Sequence, residues 1–110
     1  MKKFPSIKSN NDFQICYKNG KSYANRLLIM YVYANGKSEN RIGISVSKKI
    51  GNSVVRHRVT RLIREIFRLN NERILKGYDL VVVVRKSADE LNYKNIESAF
   101  FHLCKLHKII

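Results

Sequence analysis

The densest chemistry in this sequence is cationic. Arg56, His57, Arg58, Arg61, Arg64 and Arg68 fall within thirteen residues, and Glu65 is the only carboxylate among them. A guanidinium offers a planar fork of N–H donors that meets phosphate oxygens at two points and stacks on bases, so this set suits a polyanion. A solvated basic face usually explains a run of charge. Here it explains little, because lysine and glutamate would solubilise a helix equally well. Lys48 and Lys49 precede the run and would stand near the free N–H groups of a helix start, a common anion site. Ordinary capping by Asn52 is compatible with that role.

Residues for catalysis are thin by comparison. His102, Cys104 and His107 look like metal ligands when read linearly, but on a helix they point apart, so zinc is not expected. His57 among arginines would be a poor general base, since neighbouring positive charge disfavours its protonated form. The acidic residues Asp12, Glu39, Glu65, Glu72, Asp79, Asp89, Glu90 and Glu97 are scattered, without the paired carboxylates of two-metal nuclease chemistry. No glycine-rich phosphate loop is present. By its residues alone the chain reads as a binder and not a catalyst.

The elements that must carry these groups follow from periodicity. Ser9 or Asn10 caps a helix to about residue 18, with Phe13, Cys16 and Tyr17 on one face and Gly20 as its terminator. Residues 21–24 form a short strand and 27–34 a strong one. Asn35-Gly36 signals a turn, and 41–47 alternates strictly, so the last two strands are expected to pair as a hairpin. One face of that pair carries Leu28, Met30, Val32, Ile42, Ile44 and Val46, a core face. The other sets Ile29, Tyr31 and Tyr33 beside Gly43, Ser45 and Ser47. It is either an open floor with stacking surfaces or a face that another element covers.

After a basic turn at 48–52, Asn52 or Ser53 caps a helix to about residue 69. Val55, Val59, Leu62, Ile63, Ile66 and Phe67 form its buried stripe. His57, Arg61, Arg64 and Arg68 line the outer face, with Arg56 and Arg58 on the shoulders. Residues 79–84 are apolar without alternation, the mark of a strand covered on both faces. A last helix, capped by Asn92, runs from Tyr93 to about His107. The expected fold is an α+β sandwich in the order α-β-β-β-α-β-α, with a four-stranded sheet and a parallel β-α-β unit.

Composition bounds the rest. A chain of 110 residues with 45% apolar and 10% aromatic residues fits one globular domain spanning 1–110. The net charge of +14 and a pI near 10.1 point to nucleic acid before a membrane surface, because the cations are spread over the chain. The longest apolar run, 27–34, is far short of the roughly 20 residues a membrane span needs. Residues 1–6 start with charge and lead into no apolar stretch, so a secretory signal is not expected. Cys16 and Cys104 lack a short pairing pattern, which places the chain in the reducing cytoplasm.

The stretch from Arg41 to Arg68, Arg-Ile-Gly-Ile-Ser-Val-Ser-Lys-Lys-Ile-Gly-Asn-Ser-Val-Val-Arg-His-Arg-Val-Thr-Arg-Leu-Ile-Arg-Glu-Ile-Phe-Arg, closely resembles the bacterial ribonuclease P protein family. That family carries an Arg-Asn-Arg signature on its long helix, preceded by a Ser-Lys-Lys-x-Gly-Asn turn. The likeness extends to Asp12-Phe13, Ala24-Asn25-Arg26, the strand at Asp79 and the final helix. His57 departs from the pattern, standing where the family has Asn, although it can still donate a hydrogen bond.

The resemblance implies a subunit of an endoribonuclease ribonucleoprotein whose RNA is the Mg²⁺-dependent catalyst and removes the 5′ leader of precursor tRNA. The protein alone is not expected to cleave. It implies a left-handed β-α-β crossover, against the usual handedness. It also implies a leader cleft between the first helix and the sheet, lined by Phe13, Tyr17 and Tyr31 with Lys48 and Arg64 nearby. Lys49, Arg56, His57, Arg58, Arg61 and Arg68 would face the RNA subunit; protein-bound metal ligands stay unassigned. The partners implied are the RNA subunit and precursor tRNA, with no membrane. A structural RNA-binding protein, such as a ribosomal component, would share the charge and size. A DNA-binding regulator fits less well, since no helix-turn-helix spacing is visible.

Overall fold

The first helix begins where Ser9 can cap it: the serine hydroxyl accepts from the Asp12 N–H at 3.1 Å, satisfying one of the free donors of the first turn. In the computed structural model, which describes residues 5–86 and 88–110, this helix is α1, Asn10–Asn19. The basic start read at residues 1–4 lies outside the described residues. Gly20 ends α1 for lack of space and not for a special backbone angle. Its φ of −78° suits any residue, but a β-carbon there would lie 2.5 Å from the Cys16 carbonyl oxygen.

The strands are β1 (Lys21–Ala24), β2 (Leu28–Ala34), β3 (Arg41–Ser45) and β4 (Tyr78–Val84). Helix α2 (Ser53–Asn70) separates β3 from β4, and α3 (Tyr93–Leu106) closes the order. Asn52 and Asn92 cap them, accepting from Val55 N–H at 3.0 Å and Asn95 N–H at 2.8 Å. The order is the expected one, with short 3-10 turns added at Asn71–Arg73 and Ala88–Glu90.

Strand pairing corrects one expectation. The sheet runs β1-β2-β4-β3, so β2 and β3 do not form a hairpin. β2 pairs antiparallel with β1 and with β4, and β3 pairs parallel with β4. The physical reason lies in β4. Leu80, Val81 and Val82 are fully buried, and a strand apolar on both faces belongs in the interior of a sheet, with a partner on each side. The turn itself forms, with Gly36 at φ +71°, but its neighbours tie it to β4. Asn35 N–H donates to the Gly77 carbonyl at 2.8 Å, and the Asn40 side-chain oxygen accepts from Tyr78 N–H at 2.9 Å.

The two faces of the sheet are filled unequally. Leu28, Met30, Ile42, Leu80 and Val82 pack against Val59, Ile63, Ile66 and Phe67 of α2 and Ile96, Phe100 and Leu103 of α3, all in one buried cluster. Among the described residues, the buried apolar side chains clustered on the α1 side are Ile7, Cys16 and Val81, with Phe13, Tyr17, Tyr31, Tyr33 and Val83 half-buried around them. The open side of β3 is met by the segment before α1: Ile7 N–H donates to the Ile42 carbonyl at 2.9 Å, and Ile42 N–H to the Pro5 carbonyl at 3.1 Å.

One ionic cluster fixes α1 to the sheet. Arg41 grips the buried Asp79 carboxylate at two points, 2.9 and 2.6 Å, while reaching Asp12 of α1 at 3.3 Å. Asn35 adds a hydrogen bond to Asp79 at 2.8 Å. Burial alone would raise the Asp79 carboxyl, but the hydrogen bonds from Arg41 and Asn35 and the charge of Arg41 outweigh it and hold the group below its ordinary range.

Candidate nucleic-acid interface

A shallow trough runs between α1 and β3. Phe13 can lie flat on the strand because Gly43 has no side chain: a β-carbon there would sit 2.7 Å from two ring atoms. One turn later along α1, Tyr17 stands 6.4 Å from Phe13 and meets Tyr31 of β2 edge-to-face at 4.9 Å. The hollow is about 260 Å³, lined by Asn10, Phe13, Gln14, Tyr17, Ile44 and Ser45. All three rings are half-buried, neither sealed nor fully open. The face is therefore a partly covered one, crossed by α1 over Cys16 and Val81, and the stacking surface is the strip left beside that crossing. Tyr31 braces Tyr17 from behind and does not line the hollow.

The Tyr17 hydroxyl is pushed up by burial, with a hydrogen bond to Ser45 pulling it partly back, so it is a neutral donor near pH 7. Cys16, beneath it, is buried and pushed up to about 11, chiefly by desolvation. A thiol in that state is a packing group and no nucleophile.

The second surface is the outer side of α2. His57, Arg58, Arg61, Arg64 and Arg68 are exposed, and Arg56 is half-buried with its Nε donating to the Gly51 carbonyl at 3.2 Å. Arg58 donates to the Leu91 carbonyl at 3.1 Å, which steadies one arm of its fork. Arg68 is held at two points by Glu65, 3.1 and 2.6 Å, so its charge is partly answered already. Between these side chains lie two hollows. Arg58, Arg61, Leu62 and Glu65 line one of about 380 Å³; Ser53, Val54, His57, Arg58 and Arg61 line one of about 470 Å³. Val54 is 75% exposed in their midst. Its exposure was legible as an apolar residue on the charged side of the helical wheel, a signal the buried stripe overshadows.

Trough and ridge lie on opposite faces of the sheet, since α1 covers one and α2 the other. They meet around the β3 edge. Ser45 ends β3 at the trough, exposed Lys48 and Lys49 follow, and Ser53 opens α2 at the ridge. A strand passing from one surface to the other would cross these lysines. The structure thus groups Phe13 and Tyr17 with Tyr31 behind them and puts Lys48 and Lys49 at the junction. Arg64 is exposed on α2 with His57, Arg61 and Arg68.

The cluster of Arg41, Asp79, Asp12 and Asn35 was not read from the sequence. An acidic residue opening an otherwise apolar strand was the available signal, because a carboxylate there must find a cation.

A family model described as Ribonuclease P matches residues 1–108. The ribonuclease P protein component of Lachnoclostridium phytofermentans is 57% identical over 105 residues, covering 96% of this chain and 90% of that one. That of Alkaliphilus oremlandii is 48% identical over 110 residues, covering 100% and 96%. Among solved structures, the Staphylococcus aureus RNase P protein at 2.0 Å superposes with a TM-score of 0.88 at 39% identity, over 97% of this chain and 98% of that one. The Thermotoga maritima RNase P protein superposes with a TM-score of 0.84 at 32% identity, over 92% and 96%.

Proposed function

Because the chain belongs to the bacterial ribonuclease P protein family, we propose that its trough holds the single-stranded 5′ leader of precursor tRNA while its arginine ridge grips the catalytic RNA. The family supplies the protein component of an endoribonuclease ribonucleoprotein that processes tRNA 5′ ends, so the chain is a subunit of that enzyme and its partner is the enzyme's RNA.

The carrying observation is the trough itself. Phe13 and Tyr17 offer ring surface along a hollow completed by Ile44 and Ser45 of β3, where a flexible strand can lie and stack with little regard to base identity. The ridge complements it with guanidinium forks for phosphate, and Lys48 and Lys49 bridge the two. In this reading the leader follows β3 from Phe13 past Ser45 toward the lysines, while RNA phosphates fill the hollows around Arg58 and Arg61.

The chemistry rests with the RNA, and Mg²⁺ serves there. The described residues do not fit a Mg²⁺ site. Among the described residues no three His, Cys, Asp or Glu side chains gather to hold a metal, and Asp12 and Asp79 beside the trough are committed to Arg41. Work in the cytoplasm follows from the same partner. No helix among the described residues is long and apolar enough to cross a membrane.

Reconstitution tests the reading. Added to a bacterial ribonuclease P RNA at low Mg²⁺, the protein should restore cleavage of precursor tRNA at the leader junction and should cleave nothing alone. Cleavage by the protein alone, or no effect on the RNA, would defeat it.

A further inference from the structure

The outer face of α3 carries a groove that neither the trough nor the ridge uses. Two hollows, of about 260 and 460 Å³, lie on either flank of the exposed side chains Ser98 and His102, which line both, so together they make a shallow channel across the helix that is stepped at these two residues. The first is flanked by Asn25, Arg26 and Asn95, the second by Arg73, Phe101 and Lys105. Among the described lining residues there is no carboxylate. Arg26 is answered by Glu90 in an ion pair, which leaves Arg73 and Lys105 as the cations facing the channel.

Three details make this more than a basic surface. The Arg73 guanidinium stands over the Phe101 ring at 5.1 Å, a preassembled platform of charge and ring on which a base can stack. Asn25 is locked: its oxygen accepts from Leu27 and Leu28 N–H at 3.3 and 3.0 Å, so its amide nitrogen must be the donor toward the Ala99 carbonyl and His102 Nδ1 at 3.0 and 3.1 Å. With Nδ1 accepting, neutral His102 carries its proton on Nε2 and keeps a donor for the channel. The lining therefore offers donors and a ring face, and its open, shallow shape suits a strand better than a small molecule.

We propose that this channel holds a second stretch of single-stranded RNA, with Arg73 and Lys105 supplying positive charge to its backbone and a base stacked on the guanidinium that covers Phe101. The proposal rests on RNA being the partner assigned above but on none of the same residues. The stretch comes either from the catalytic RNA or from precursor tRNA, and the experiment separates the two sources.

Cys16 and Cys104 are both fully buried, and burial pushes the Cys104 thiol up to about 12, so a cysteine introduced at the surface can be labelled selectively. A photoreactive benzophenone on Ser98→Cys, in the reconstituted holoenzyme with both RNAs differently labelled, should crosslink to one of them. A second probe on Val54→Cys reports the ridge. Crosslinks from both positions support the proposal, and the labelled RNA names the source. Crosslinks from 54 alone overturn it while sparing the ridge, and failure at 54 alone condemns the ridge and not this channel.

A binding measurement on unlabelled protein supplies the second readout. Arg73→Gln with Lys105→Gln should lower the salt slope of RNA binding by about 1.4, as two lost single-strand contacts require. An unchanged slope overturns the proposal. So does capture of polyglutamate through the same two residues without any RNA crosslink, which would assign the channel to an acidic protein.

Discussion

The two faces of the sheet do different work with similar residue types. On the α2 and α3 side, aromatic and aliphatic side chains are driven to full burial: Phe67, Phe100, Met30 and Ile63 have no exposed surface. On the α1 side, Phe13, Tyr17 and Tyr31 stop half-way, with Ile7, Cys16 and Val81 as the small buried centre. Fully burying a ring is worth about 2–3 kcal/mol, so the first face supplies most of the folding free energy. The second keeps ring area wet, and that area is what a stacked base would cover. Full burial is thereby concentrated on one side of the four strands, and accessible ring surface on the other.

The contrast can be broken or sharpened by substitution. The largest effect is expected at Phe67→Ala, which should cost about 3–5 kcal/mol of unfolding free energy in a denaturant titration. Phe13→Ala should cost visibly less, and an equal loss would abolish the distinction between the faces. Next comes Asp79→Asn, which removes the nearer of the two carboxylates that answer the Arg41 guanidinium, leaving Asp12, and should cost about 3 kcal/mol. The acid response has a defined sign. Asp79 titrates below its unfolded value, so its stabilisation is complete above the ordinary carboxylate range and is lost as pH falls through the lowered folded value. The Asn variant should lose that part of its acid sensitivity, as thermal melts across that range would read.

Tyr17→Ala should weaken precursor tRNA binding by about 1–3 kcal/mol, the worth of one stacked base, with affinity for mature tRNA unchanged. Tyr31→Ala should act in the same direction but less, because Tyr31 only braces Tyr17. Equal losses for mature and precursor tRNA would remove the leader from the trough. Gly43→Ala should displace the Phe13 ring at about 1 kcal/mol of stability, the low end of overpacking, since the ring has room to swing outward. Its leader-dependent binding should fall with it. Smallest of all, Arg61→Gln should flatten the salt slope of RNA binding by about 0.7–0.9 with no change in melting temperature.

Local chemistry made much of this legible. Ser9, Asn52 and Asn92 announce their helices as caps, and each accepts the hydrogen bond expected of it. The α2 stripe sorts into buried Val59, Ile63, Ile66 and Phe67 against an exposed arginine face because a period of 3.6 residues leaves no other arrangement. What the periodicity could not supply was which strands neighbour which. The Asn35-Gly36 turn invited a β2–β3 hairpin, whereas the decisive fact was non-local: β4 needed covering on both edges as well as both faces, and it took the place between them. The doubly apolar run of β4 already argued for an interior strand, so the conflict was present in the sequence and was resolved by the wrong neighbour. The Arg41 cluster escaped for the same reason, as its members lie on α1, β3, β4 and the loop between strands. Arg64 shares the exposed side of α2 with Arg61 and Arg68, as its helical phase requires.

The hydrogen bonds that Pro5 and Ile7 make to Ile42 bear on how such a polycation survives before it meets its partner. A sheet with bare borders invites end-to-end stacking of copies, the route to fibres and clumps. Here one border is interrupted at Ile42 by the preceding segment, and the other is the four-residue β1, which opens on exposed Lys21. Neighbouring molecules thus find little to zip onto, and their mutual repulsion does the rest. The unassembled subunit is equipped to wait in dispersed form.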